Sequence, residues 1–196
     1  MKTFNKAGFM MMIIFLSGAF LTVNGQTKFA AKNNINLSVS GTSTMHDWVM
    51  KSSTGDCSAT FVEDASGKLT DITTLNFVVS AKGLKSGKDG MDKNAYKALK
   101  ADKNQSITAT LKSAEVTTKD NKIYTIKAVI KLTIAGKTVE TDLTAQAKHI
   151  NDNSYAISGD KKLSMKDYGM EPPSFMLGAV KTGNDVVLHF DVVLNR

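Results

Sequence analysis

Hydrophobic and polar residues alternate with a period of two along most of the chain after Ile35. In residues 123–134 every even-numbered position is apolar, whereas the odd-numbered positions include two threonines and two lysines. Successive side chains of a β-strand point to opposite faces, so this pattern predicts a strand with one face on a core and one face in water.

Turn residues divide the rest of this pattern into further strands. Ala135-Gly136 predicts a tight turn into a second long strand, and Gly183-Asn184-Asp185 predicts a turn before a last strand over 186–194. Other strands are predicted at 35–41, 44–51, 56–62, 70–82, 106–116 and 154–166. Ring closure removes the exposed edges of so long a sheet. We therefore predict an all-β fold, an antiparallel barrel of about eight strands.

One segment has a helical rather than an alternating pattern. Between Asp92 and Asp102 the apolar residues cluster on one side of a helical wheel and the lysines lie opposite. This predicts one short amphipathic helix, whose apolar side closes one end of the barrel and whose lysines face solvent.

The first residues have the pattern of a secretion signal. Lys2 and Lys6 precede an apolar run from Ala7 to Val23, which ends in small and polar residues near Gly25. About 17 apolar residues are at the lower limit for a membrane-spanning helix, which is the alternative interpretation. We predict a signal peptide over residues 1–25 and one domain over residues 26–196. Because no cysteine lies at the cleavage site, a lipid-anchored protein is not expected.

Charge and cysteine content exclude several classes of function. Removal of residues 1–25 takes away two lysines and no acid, so the formal net charge falls from +7 to +5. The sole arginine is Arg196, which leaves no bidentate contacts for phosphate or guanine, and nucleic-acid binding is not expected. The sole cysteine, Cys57, alternates with Ala59 and Phe61, which predicts a buried structural thiol.

No catalytic or metal-binding motif is evident. His46, His149 and His189 lack the short spacing of metal ligands, and His46 and Asp47 are neighbours that a strand would direct to opposite faces. The loop 83–89 differs from a phosphate-binding loop in its glycine spacing and in having Asp89 where a hydroxyl residue is needed. We expect no metal, no cofactor and no enzyme activity.

Strand parity selects the side chains that face the interior. Small inward residues such as Ala128 and Ala145 favour an internal cavity, although periodicity is equally compatible with a filled core. Met45 and Trp48 have opposite parity, and we place Trp48 inside because of its bulk. The predicted lining residues are Trp48, Phe77, Val79, Ile126, Ala128, Ile130, Leu143, Ala145, Ala147, Leu188, Phe190 and Val192.

Several ordered motifs closely resemble those of the YceI-like family. They are the segment GTSTMHDW at 41–48, LKSG at 84–87 followed by the predicted helix, LTIAGK at 132–137 and MKDYGMEPP at 165–173. The resemblance implies a lipocalin-like barrel with a hydrophobic tunnel for a polyisoprenoid or another long-chain amphiphile. It also implies a binding protein, rather than an enzyme, that is periplasmic or secreted.

Two functional hypotheses follow from the sequence. The first is an exported carrier whose partner is a hydrophobic small molecule, which is compatible with transient membrane contact. The second is an envelope-stress or interaction protein with a filled core, in which the lysine-bearing helix binds a partner and no ligand is bound stoichiometrically. The sequence leaves the oligomeric state and the ligand headgroup open.

Overall fold

The computed structural model describes residues 25–196, so the predicted signal peptide lies outside the described residues except for Gly25. This part of the chain forms eleven strands, one α-helix and three short 3-10 turns. The strands are β1 (Gly25–Lys32), β2 (Ile35–Ser43), β3 (Trp48–Ser52), β4 (Asp56–Glu63), β5 (Leu69–Ser80), β6 (Ser106–Thr118), β7 (Ile123–Ile134), β8 (Lys137–Asn151), β9 (Ser154–Ser164), β10 (Ser174–Phe175) and β11 (Val180–Asn195). The helix, α1, is Asp89–Ala98, and the 3-10 turns are Ala81–Gly83, Met165–Tyr168 and Met176–Gly178.

Eight strands form a closed ring in the order β1-β4-β5-β6-β7-β8-β9-β11. The pairing of Ala30 with Asn195 joins β1 to β11 and closes it. Strand β2 continues along the same edge of β11, and β3 pairs with β2. Every pairing is antiparallel, so the predicted all-β fold, an antiparallel ring of about eight strands with one short helix, is confirmed. No helix within residues 25–196 is long and apolar enough to cross a membrane.

Three local predictions were wrong. Strand β1 was not predicted, although Thr27, Phe29 and Ala31 alternate with exposed residues and lie inside the ring. The predicted strand 44–51 begins only at Trp48. The predicted turn at 183–185 lies within β11, where the pairing with β2 shifts between Thr182 and Val186.

The loop before β3 has a clear local cause. The Ser43 hydroxyl donates to the carbonyl oxygen of His46 at 2.7 Å. It also accepts hydrogen bonds from the backbone N–H groups of Met45 and His46, each at 3.2 Å. These local bonds replace strand pairing, because serine side chains compete with the sheet for backbone groups.

Aromatic side chains close one end of the ring. Phe29, Phe61 and Tyr155 are almost completely buried, and their ring centroids lie 5.0–5.3 Å apart. Tyr124 joins them at 6.3 Å from Tyr155. The Tyr155 hydroxyl donates to Glu63 Oε1 at 2.8 Å. Burial is the larger cause that raises the pKa of Tyr155, and this hydrogen bond is the second. These four residues are called the aromatic end below.

Helix α1 lies at the opposite end of the ring and starts three residues earlier than predicted. Its Asp92 is buried and accepts hydrogen bonds from the Ser86 backbone N–H at 2.7 Å and the Ser86 hydroxyl at 2.6 Å. The Tyr96 hydroxyl lies 2.9 Å from the carbonyl oxygen of Leu84, to which it donates. These contacts hold the helix on the loop that precedes it.

We expect Asp92→Ala to destabilise the fold by about 1–3 kcal/mol at neutral pH, because two partly buried donors of Ser86 lose their buried acceptor. The bonds from Ser86 lower the pKa of Asp92. A carboxyl with a lowered folded-state pKa stabilises the fold above its unfolded-state pKa, and this stabilisation is lost as the pH falls through the folded-state value. The difference between wild type and Asp92→Ala, measured by urea unfolding, should therefore shrink below about pH 4.

Asp92→Asn is the matched control, because it keeps the size and one acceptor oxygen but cannot carry the charge. It should lose less stability than Asp92→Ala. A difference between Asp92→Ala and wild type that stays constant down to pH 2 would contradict the assigned role of the carboxylate.

Candidate functional site

The ring encloses a cavity of about 530 Å³ between the aromatic end and helix α1. Its wall is built from inward-facing side chains of most ring strands, of β2 and β3, and of the helix. Most of them are apolar, because the inward positions of each strand are the hydrophobic ones in its alternating pattern. The sequence was equally compatible with a cavity and with a filled core, and the structure has a cavity.

The floor of the cavity is Phe61, which lines it from the aromatic end. Phe29 and Tyr155 pack behind Phe61, so the cavity ends there. Ile126 and Ile157 complete the wall near this floor.

The cavity reaches the protein surface between three segments at the other end. These are the loop 44–47, the start of α1 and residues 173–180, and their junction is called the mouth below. The loop is held in place by Thr44, whose backbone N–H donates to the carbonyl oxygen of Lys181 at 3.0 Å. Met45 lines the cavity and is still 68% exposed, which marks the place where the wall meets solvent.

Most of the predicted lining residues lie on the cavity wall. They are Trp48, Phe77, Ile126, Ala128, Ile130, Leu143, Ala145, Leu188, Phe190 and Val192. Strand parity places them there, because these strand segments follow regular ladder registers. Whether these residues contact a ligand stays a prediction.

Val79 and Ala147 were predicted to line the cavity, and neither of them does. Ala147 faces inward but pairs with Tyr124, so it lies at the level of the aromatic end, where the ring is filled. Val79 is 1% exposed and packs beside Gly55: a Cβ on that glycine would lie 3.5 Å from the Val79 Cβ. Strand parity predicts which face of a strand a side chain is on. It does not predict at which level along the ring packed side chains fill the interior.

The choice of Trp48 over Met45 was half wrong, because both line the cavity. Regular strand parity does not apply between them, since Met45 lies in the loop and Trp48 begins β3. The Trp48 indole lies over Gly41, where any Cβ would clash with the ring, and its Nε1 donates to the carbonyl oxygen of Thr42 at 3.0 Å.

Several lining residues were not identified from strand parity because they lie outside the long strands of the ring. Met91, Ala95 and Leu99 come from the helical region, and Met165, Met170 and Phe175 come from the segment before β11. The apolar side of the predicted helix, as seen on a helical wheel, could have identified the first group as lining residues. For the second group, no regular pattern in the sequence indicates a position on the wall.

The mostly apolar wall contains a buried polar contact between two hydroxyl groups. The hydroxyl groups of Tyr168 and Thr141 lie 3.0 Å apart, both residues are buried, and both line the cavity. Burial raises the pKa of Tyr168, so this hydroxyl stays neutral at physiological pH. The pair satisfies its own hydrogen bonding and adds no charge to the wall.

The histidines are not arranged as a catalytic pair with Asp47. The Nδ1 atom of His46 lies 2.9 Å from the backbone oxygen of Asp47, not from its carboxylate. His189 Nδ1 lies 2.8 Å from Asp160 Oδ1 on an exposed part of the surface. Within residues 25–196, His, Cys, Asp and Glu side chains form no group of three that could hold a metal ion.

Cys57 is buried, as predicted, and also lines the cavity. Burial raises the pKa of its thiol to about 11. A thiol on the cavity wall should react slowly with reagents in water, since the thiolate is the reactive form.

We expect the reaction of Cys57 with N-ethylmaleimide at pH 8 to be at least about 100-fold slower than in the urea-unfolded protein, because burial lowers the thiolate fraction. A lipid in the cavity should slow it further by covering the thiol. Mass spectrometry of the modified chain measures both rates. Equal rates for empty and lipid-loaded protein would contradict a lipid lying against Cys57.

Comparisons with known proteins agree with this architecture. A family model described as the YceI-like domain matches residues 3–194. A search of curated protein sequences finds no significant match.

Solved structures with similar folds include BcnA from Burkholderia cenocepacia, with a TM-score of 0.64 and 12% identity over 81% of this chain and 95% of that chain. A polyisoprenoid-binding domain from Saccharophagus degradans has a TM-score of 0.61 and 10% identity over 87% and 99%. A mutant of the Campylobacter jejuni YceI protein has a TM-score of 0.55 and 19% identity over 71% and 81%. At these identities the similarity concerns the fold.

Proposed function

Because the chain belongs to the YceI-like family, we propose that it binds a polyisoprenoid or another long-chain amphiphilic lipid in its cavity. The observation that carries this proposal is the 530 Å³ cavity with an apolar wall, closed by the aromatic end and open at the mouth. The Saccharophagus degradans relative in fold is described as a polyisoprenoid-binding domain, which supports the same ligand class.

The shape of the cavity suits a flexible apolar chain with a polar end. Burial of about ten methylenes contributes roughly 8 kcal/mol, which before binding costs corresponds to micromolar affinity. The apolar tail then lies toward Phe61 and the polar end lies at the mouth, where His46, Lys88 and Asn94 line the opening.

We further propose that the protein acts as a carrier without chemistry of its own and that it is exported. The pattern of Lys2, Lys6 and the apolar run to Val23 supports export. N-terminal sequencing of the protein from its own cells tests this part: a start near Gln26 is expected, and an intact Met1 would overturn it.

The decisive experiment is native mass spectrometry of the protein purified from its own cells, followed by solvent extraction of any additional mass. We expect one isoprenoid or long-chain lipid per chain. The delipidated protein is then titrated with decaprenol in detergent, with the fluorescence of Trp48 as the readout, because this sole tryptophan lines the cavity.

A stoichiometric lipid, or a saturable change in Trp48 emission with decaprenol, supports the carrier function. An empty protein that also shows neither a fluorescence change nor a thermal shift with decaprenol would overturn it. The interaction protein without a ligand would then be the better explanation.

A further inference from the structure

The mouth of the cavity carries apolar side chains that project into solvent. Met45 is 68% exposed, and Leu177 is fully exposed. The backbone of Leu177 has a φ of +54°, in the left-handed region that leucine rarely adopts. Thr44 holds the two segments together, because its side chain donates to the carbonyl oxygen of Ala179 at 3.3 Å.

These exposed residues continue the apolar wall of the cavity outward. Met45 belongs to both surfaces, and Phe175 and Val180 line the cavity on either side of the turn that contains Leu177. A lipid chain that leaves the cavity along this path into a bilayer stays in contact with apolar groups. Exit into water would instead expose each methylene of the chain to solvent, which is unfavourable.

The opposite side of the mouth is positively charged. Residues 85–100 contain five lysines and two aspartates. One of the aspartates, Asp92, is buried and accepts a hydrogen bond from Ser86. Lys88, Lys93 and Lys97 are exposed. The loop 44–47 adds only Asp47 as a carboxylate, and residues 165–182 carry two lysines and two carboxylates. The end of the molecule around the mouth is therefore net positive and complements an anionic lipid surface.

We infer that the mouth docks on an anionic lipid bilayer, with Leu177 and Met45 inserted among the lipids and the lysines of α1 on the headgroups. Apolar side chains beside basic residues are the pattern of interfacial membrane attachment. A stable protein interface buries about 800 Å² on each partner, whereas here two projecting side chains flank an opening. The inference rests on the proposed function, because the lipid cargo dissolves in the bilayer.

The test is flotation of the purified, delipidated chain with vesicles of phosphatidylglycerol and phosphatidylethanolamine in equal parts. Leu177→Asn removes the projecting apolar group and keeps a residue that tolerates the left-handed conformation. The matched control is Ile150→Asn, which removes a 50% exposed isoleucine near the opposite end. Lys93→Gln with Lys97→Gln tests the charge.

We expect the wild type and Ile150→Asn to float equally well. Leu177→Asn should bind the vesicles about tenfold or more weakly, and the double lysine variant about tenfold more weakly at low salt. Flotation of Leu177→Asn at the wild-type level, a larger loss for Ile150→Asn, or no flotation of the wild type would overturn the inference. A wild-type dimer that Leu177→Asn dissociates would also overturn it, because a second copy would then cover the mouth.

A second measurement separates this inference from the proposed function. Leu177 does not line the cavity, so Leu177→Asn should bind decaprenol from detergent as the wild type does, with Trp48 emission as the readout. Normal binding from detergent with lost flotation supports the docking surface. Failure of the wild type to bind decaprenol would count against the proposed function instead, whatever the flotation shows.

Discussion

Phe61→Ala is expected to lower the free energy of unfolding by about 3–5 kcal/mol, the largest loss among the substitutions considered. Phe61 is 1% exposed and packs at 5.0 Å from Phe29 and 5.1 Å from Tyr155, measured between ring centroids. Loss of this ring removes the buried apolar surface, the tilted ring contact with Phe29 and the edge contact with Tyr155. Urea unfolding followed by circular dichroism measures the change.

Phe77→Ala is the matched control for this prediction. Phe77 is only partly buried and faces the cavity, so one side of its ring has no packing partner in the empty protein. The control should therefore lose less than half as much stability as Phe61→Ala. Equal losses for the two variants would contradict the view that the aromatic end is the main packed region of the interior.

Ala145→Phe is expected to weaken lipid binding by more than about 100-fold. The side chain of Ala145 lines the cavity on β8, next to Ile126 across the strand pair. A phenyl ring there occupies space that about four methylenes of the ligand would use, which removes roughly 3 kcal/mol of binding free energy. The cavity can receive the ring, so the fold should persist, and the thermal midpoint should change little.

Titration with decaprenol, read by Trp48 emission, measures this effect. Gln146→Phe is the control, because it places the same ring on the same strand but on the exposed outer face. It should bind as the wild type does. Wild-type affinity of Ala145→Phe with a normal thermal midpoint would show that the lipid does not occupy this part of the cavity.

The regular strands were the most predictable part of the fold. Strand β7 matches the predicted limits 123–134, because alternation over twelve residues has only one interpretation. Strand β1 has the same alternation over eight residues, with Phe29 buried at its centre, but it starts directly at the predicted end of the signal peptide. Because β1 begins at this predicted boundary, the strand that closes the ring was not predicted.

The lining was predictable only where it depends on strand parity. Residues such as Ile126 and Leu143 are on the wall because each is on the inner face of a regular strand. Ala147 has the same parity but lies level with the aromatic end, which brings together β1, β4, β7 and β9. Met165 and Phe175 reach the wall from a 3-10 turn and from the two-residue strand β10, which are too short to show a periodicity.

The all-β class, most strands and the inward face of each strand follow from the local residue pattern, because the period of two is a property of each strand's own residues. Three features do not follow from it: the pairing of β1 with β11, the aromatic rings that fill one end and the cavity that remains open at the other. These features depend on how side chains from distant segments share one interior. Packing of that kind sets the depth of the cavity and the place of its mouth, and no local pattern encodes either.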